Sequence, residues 1–397
     1  MLAAVAALVL AGCGSTTPVA VTQSTPSASP SPSTSPSPSP TPTPSPSPSP
    51  SPSPTPAVPS WAAMSATCTG QPAAHEALLV MKGSSALILA DVTDANHPKQ
   101  LCTLSGAWSP QLVTQRMISW WASENPGQTG SSMLVSLDMF SGAITVVARW
   151  QGGFFLDGLH AWSPDESAIA YVTSDSSAVK LHLISGGGDR VVTSFAAVPG
   201  RGVNPAEDSA YLGFSADGTY FALVQTFTSG GQQLQVRRTK DGTLAYGQAT
   251  GTMATWASTG GRLYFREPSG TAIKVWDPTA GVSQLFGLAQ SWLSPVSDAG
   301  DDNVAYTVVD SGGLPHVWLY GHGGRSGGQL PNVRARPAFL NSSSLFLEEE
   351  AACTADCGLG QQWKATGNTF VFSLAAQNET PSSIASVLGS WPRIGQT

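Results

Sequence analysis

The chain has 397 residues and a formal charge of −7, and all its 18 basic and 25 acidic residues lie from Glu76 onward. With no basic patch and no Arg-rich arm, nucleic acid is not an expected partner. The charged part, roughly 320 residues, is long enough to bury a large core as one repeat-built domain or as two ordinary ones, and its Trp and Gly content suits many short strands joined by tight turns.

Residues 1–10 form an apolar run of mostly Leu, Ala and Val that ends at Leu10-Ala11-Gly12-Cys13, followed by Gly14 and Ser15. A permanent membrane helix needs roughly twenty apolar residues, so the segment reads as the apolar region of a signal peptide spanning 1–12. The Leu-Ala-Gly-Cys tetrad resembles the bacterial lipobox. That resemblance implies that the Cys13 thiol receives a diacylglyceryl group and that cleavage makes Cys13 the new N-terminus, the small Ala11 and Gly12 suiting the peptidase. A lipid anchor of two or more chains is stable where a single chain is marginal. The implied partner is the membrane, through this anchor, and the implied location is the cell membrane, facing outside the cytoplasm, in a periplasm or at the cell surface. The competing reading is a chance cysteine after an apolar start.

Residues 13–60 hold Cys13 and a tract of almost pure Ser, Pro, Thr and Ala, with Ser-Pro alternation over 27–56. Such a tract has nothing to bury and is expected to stay disordered. Alternating Pro removes backbone donors and favours polyproline II. At about 3.1 Å per residue the stalk reaches on the order of 140 Å. It reads as a spacer; Ser/Thr beside Pro also suits O-glycosylation.

From 61 to 397 the chain repeats. Clear copies of an aromatic turn unit are Ala107-Trp108-Ser109-Pro110, Ala161-Trp162-Ser163-Pro164-Asp165 and Gly213-Phe214-Ser215-Ala216-Asp217-Gly218. Weaker copies centre on Trp256, Trp292, Phe339 and Trp391, and the aromatic-to-aromatic spacings are 54, 52, 42, 36, 47 and 52. Each complete unit carries two alternating apolar runs after its aromatic, for example 168–172 and 179–183, and a weaker third run usually follows. Period-2 runs between Gly/Asp/Ser turns are antiparallel strands, and four strands in about 45 residues make a propeller blade. The first unit supplies strands at 77–81, 86–90 and 99–104 without an aromatic turn before them, while 386–391 is an orphan first strand. Pairing them completes a blade from both termini. The expected fold is therefore all-β, a single β-propeller of seven four-stranded blades whose last strand closes the first blade. Six blades is the alternative, if the 36-residue spacing hides a merged unit, and a two-domain β-sandwich is the competing architecture.

The Trp-Ser-Pro-Asp turns resemble the WD40-like repeats of TolB-type propellers, over roughly 75–395. TolB-type proteins carry an α/β domain before the propeller, where this chain has its stalk. Asp165 and Asp217 fall at the turn position of the repeat, where a short acid caps a hairpin. His160 and His182 fall in strands and read as packed groups.

Besides Cys13 the chain has Cys68, Cys102, Cys353 and Cys357, an even number that suits disulfides in an exported protein. Of three connectivities, Cys353–Cys357 with Cys68–Cys102 is favoured; a zinc site is the rival for Cys353 and Cys357, and no His or second Cys pair lies nearby.

No nucleophile elbow, zinc-protease helix, phosphate loop or dinucleotide fingerprint occurs, so no catalytic residue, metal or cofactor is expected. Asp298-Ala-Gly-Asp301-Asp302-Asn303 is acidic, but it lacks the other ligands of a calcium loop and reads as a solvated turn. In an up-down blade the loops between second and third strands, and those between blades, emerge at one end. The longer loops, 150–158, 196–210, 331–337 and 350–368, fall there. Long loops in a compact domain usually carry function. They bring Trp150, Phe154, Phe155, Asp157, Arg201, Glu207, Asp208, Arg334, Arg336 and Trp363 to one face, a mixture of aromatic and Arg that suits a binding surface; packing between blades is the competing role of the aromatics. The expected function is a monomeric, extracytoplasmic binding or scaffolding module for an envelope protein, peptide or glycan, rather than an enzyme. The alternative is an exported hydrolase or lyase with its site at the propeller channel.

Overall fold

The computed structural model describes residues 64–70, 77–82, 86–106, 110–123, 132–150, 154–174, 178–196, 211–225, 233–248, 252–257, 259–266, 272–287, 292–297, 303–321, 325–354 and 363–388. All of them belong to the unit Thr55–Thr397. The segment expected to be a signal peptide, Cys13, the tract expected to be a stalk, and Asp298, Asp301 and Asp302 lie outside them. Every regular element among the described residues is a β-strand, and every pairing is antiparallel.

The strands form six sheets. The first takes Ala77–Lys82, Ala86–Asp91 and Lys99–Ser105 from the start of the body and Ser386–Val387 from its end. Val80 pairs with Val387 and Met81 with Ser386, so the C-terminal strand closes the first blade, as the repeat pattern requires. Four four-stranded blades follow in chain order, over 111–150, 154–196, 211–248 and 252–287. The sixth sheet has seven strands. Its middle strand, Arg325–Asn341, pairs on one side with Pro315–Gly321 and on the other with Ser344–Ala352. Counted by continuous hydrogen bonding, the propeller therefore has six blades, one of double width. The count of seven treats the two halves of Arg325–Asn341 as separate strands, one the fourth of its blade and the other the first of the next.

Pro331 and Pro337 make 331–337 look like a loop, yet the strand runs through it. The strand changes partner between Val333 and Arg334; the pairing then slips between Ala335 and Ala338, where Arg336 sits in a left-handed kink at φ 51°. Two other expected loops also shorten. Phe154–Trp162 is a strand, and the last blade's hairpin strands run to Ala352 and begin at Trp363.

Packing explains the long apolar runs. Ala168, Ile169, Ala170, Tyr171 and Val172 are all buried, although successive side chains of a strand point to opposite faces. A middle strand of a blade has a neighbouring blade on each face. Trp120 and Trp121 show the same division: Trp120 joins an apolar cluster with Leu89 and Leu101 of the first blade, and Trp121 one with Ile169 and Tyr171 of the third. Five further clusters continue the series round the ring, the last joining Ile88 and Ala90 to Phe346 and Val371.

The aromatic turn unit now has a physical role. Asp165 Oδ1 accepts from Ser163 Oγ at 2.6 Å and from the Ser167 amide at 3.2 Å, while Ser163 Oγ accepts from the Ala168 amide at 2.8 Å. Asp217 repeats this with Ser215 and Thr219 at 2.6 and 2.9 Å. Both acids hold the tight turn between first and second strands. The aromatics tie blades together: Trp162 Nε1 donates to Ser119 Oγ at 3.1 Å, and Trp256 Nε1 to the Gly213 carbonyl at 2.7 Å.

One strand was not expected. Ser65–Cys68 adds to the outer edge of the first blade beside Lys99–Ser105, with Cys68 directly opposite Cys102. The two cysteines form the disulfide anticipated from their positions, across 34 residues of chain. By loop-closure entropy a bridge of that span contributes about 3–4 kcal/mol. The strand also covers a sheet edge that would otherwise stand open.

Candidate functional site

The loop end of the last blade is the part of the expected face that the structure describes most fully. Two hairpin strands, Ser344–Ala352 and Trp363–Ser373, rise there beside the kink at Arg336. Trp363, half-buried, stands opposite Ala352 at the top of the hairpin. Cys353 follows Ala352 and is disulfide-bonded; its expected partner Cys357 lies outside the described residues.

Two arginines expected to share one role are placed differently. Arg334 has a side chain only 7% exposed. Its guanidinium lies 4.0 Å over the Phe370 ring and reaches across the blade, Nη1 meeting Glu349 at 3.2 Å and Nη2 meeting Glu379 at 2.9 Å. Asn332 Nδ2 also donates to Glu379, at 2.9 Å. Arg334 thus clamps the first strand of the blade to its second and fourth, and a ligand reaches it only by breaking both ion pairs. Arg336 is 65% exposed and donates to Glu348 Oε2 at 2.8 Å. Of the two, Arg336 alone presents its charge to solvent.

Three carboxylates bond to this pair and a fourth, Glu350, follows two of them in the same strand; the expected face did not include them. Glu349 accepts from Asn368 Nδ2 at 2.7 Å and Thr366 Oγ1 at 2.8 Å; these bonds, with Arg334, hold its carboxyl below the usual range. Glu348 and Glu379 take the arginines. Glu350 differs: it is 4% exposed, neither oxygen has a hydrogen-bond donor, and burial pushes its carboxyl up. The run Glu348-Glu349-Glu350 was the available signal, because Glu is depleted in strands and three in succession must place at least one carboxylate toward a packed face.

The rest of the expected face divides in two. Trp150 packs at the junction of the second and third blades, its ring edge-on to His182 at 5.3 Å, with Lys180 Nζ 5.4 Å from its centroid. Phe154, Phe155 and Asp157 lie on the first strand of the third blade, their side chains outside the described set, as are Arg201, Glu207 and Asp208.

That junction also holds both strand histidines, and both are buried. His160 is 2% exposed; its Nε2 lies 2.6 Å from Ser119 Oγ, and its Nδ1 is buried without a partner. A Ser–His contact suggests a nucleophile and base, but Ser119 is fully buried and, among the described residues, no carboxylate meets the ring. Burial pushes His160 down to about 3. His182 is stacked on Tyr171, with Thr173 Oγ1 at 3.0 Å and Asp189 at 3.4 Å. Tyr171 donates to the same Asp189 carboxylate.

No family model matches the chain, and no curated protein matches it. Solved structures do resemble it. TolB from Acinetobacter baumannii is 16% identical over 66% of this chain and 64% of that one, with a TM-score of 0.42. A prolyl endopeptidase is 12% identical over 77% of this chain and 50% of that one, with a TM-score of 0.48. Oligogalacturonate lyase from Vibrio parahaemolyticus is 10% identical over 77% of this chain and 78% of that one, with a TM-score of 0.43. The chain spans under two thirds of the TolB chain and half of the endopeptidase. At these identities the likeness concerns the β-propeller fold alone.

Two outcomes follow. Arg334→Met strands the buried Glu379 carboxylate and costs about 3–5 kcal/mol in urea unfolding, whereas Arg336→Ala stays within about 1 kcal/mol of the parent. For His160 the fold favours the neutral ring, so as pH falls below 6.5 the unfolded chain takes up a proton that the folded chain refuses until about pH 3. Stability attributable to this group therefore declines by about 1.4 kcal/mol per pH unit across that window. Urea melts from pH 6.5 to 4 show a shallower decline in His160→Gln than in the parent; equal slopes contradict the assignment.

Proposed function

We propose that this chain is a cell-envelope lipoprotein, anchored through Cys13 and carrying an extracytoplasmic β-propeller that binds or scaffolds a protein, peptide or glycan. The observation that carries the reading is the order of parts: an apolar run ending in Leu10-Ala11-Gly12-Cys13, an uncharged Ser/Pro tract to about residue 60, then a propeller stapled by Cys68–Cys102. A structural disulfide suits an oxidising compartment outside the cytoplasm, and a stalk is useful to a domain that must stand clear of a membrane. Binding is favoured over hydrolysis by how the reactive side chains are used. His160 and His182 are packed between blades, and Glu348, Glu349 and Glu379 are bonded to arginine.

The test uses the full chain expressed in a bacterium, as parent and as Cys13→Ala. The parent fractionates with membranes and incorporates a palmitate label; Cys13→Ala incorporates none and is released. Detergent-solubilised parent then serves as bait for envelope extract, and a specific protein or glycan is retained. An unlabelled parent overturns the anchor, and a bait that retains nothing overturns the binding role.

A further inference from the structure

We propose that the loop end of the last blade binds a cationic group, the ammonium or guanidinium of a basic peptide segment, with Glu350 as its counter-ion. This rests on the binding reading above and names the chemistry of its partner.

Glu349 and Glu379 share Arg334, and Glu348 takes Arg336. Glu350 is left over. Both its oxygens are buried and without a donor, and Glu379 Oε1 is likewise without one. A carboxylate removed from water and given no donor is strongly unfavourable unless a counter-charge meets it. Arg336 is the cation that acts on Glu350, but it spends its bond on Glu348, whose own charge repels Glu350.

What Glu350 lacks is an N–H donor carrying positive charge. Among the described residues no three His, Cys, Asp or Glu side chains converge as metal ligands do, and a hard cation needs six or more oxygens. An ammonium or guanidinium brings its own donors and forms charge-assisted bonds to a carboxylate. The body favours such a partner at long range, since the whole charge of −7 lies beyond the stalk. Arg336, exposed and held in a left-handed kink, is the internal cation that the ligand's replaces.

Isothermal titration of the full-length protein in detergent, at low salt, uses triarginine and trilysine as probes and triglycine as control. The expected result is saturable binding of the basic tripeptides and none of triglycine. Glu350→Gln weakens that binding at least tenfold while melting no lower than the parent, because it removes a buried charge. Arg336→Ala, which removes the competing cation, tightens it and gives an independent readout should Glu350→Gln fold poorly. Absence of saturable binding overturns the proposal, as does equal binding by parent and both variants. Calcium binding lost in Glu350→Gln without any peptide binding also overturns it and marks an inorganic cation site. If envelope capture returns a partner that Glu350→Gln leaves untouched, the binding role stands and the cationic site falls.

Discussion

A propeller is a stack of sheets bent into a ring, and its stability depends on the ring being closed. Each middle strand buries both of its faces only because a blade lies on either side, so a gap anywhere exposes two packed faces at once. In this chain the gap falls between the first blade and the last, and two interactions close it. One is the short pairing of Val80 with Val387 and Met81 with Ser386. The other is the apolar cluster that joins Ile88 and Ala90 to Phe346, Val371 and Ile384. The strand pairing holds the ends in place, and the cluster supplies the burial; at about 25 cal/mol per Å² the apolar area hidden there far outweighs two ladder positions.

The disulfide acts on the same blade from the opposite side. Ser65–Cys68 lies on the outer edge, Ser386–Val387 on the inner, and the three strands between them come from the start of the body. The first blade therefore receives both ends of the described chain. The N-terminal attachment is covalent, through Cys68–Cys102.

Much of this architecture was legible because it repeats. A Ser two residues before an Asp, after an aromatic, encodes a turn whose hydrogen bonds are local, and the two clear copies at Ser163–Asp165 and Ser215–Asp217 adopt the same geometry. Alternating runs named the strands for the same local reason. Features set by tertiary context were not legible. Ser65–Cys68 is short and polar and becomes a strand only because an edge lies beside it. Pro331 and Pro337 read as breakers, yet the chain passes through them as one kinked strand. The candidate site divides likewise. Arg334 and Arg336 are near-identical in sequence context, and only the structure shows that one clamps a blade while the other faces solvent. Glu350 falls at the start of what reads as a loop over 350–368, whereas it lies in the strand Ser344–Ala352 and is buried.

The packing of every blade depends on closure of the ring. The most direct measurement compares thermal unfolding of the full chain with that of a version ending at Ala385, which lacks Ser386–Val387 but keeps Ile384. If the ring depends on this strand, the shortened chain melts lower by several degrees, since even about 2 kcal/mol shifts the midpoint of a large domain by that much, and hydrogen exchange rises in the first and last blades together. An unchanged midpoint, with exchange in both blades as slow as before, would contradict it.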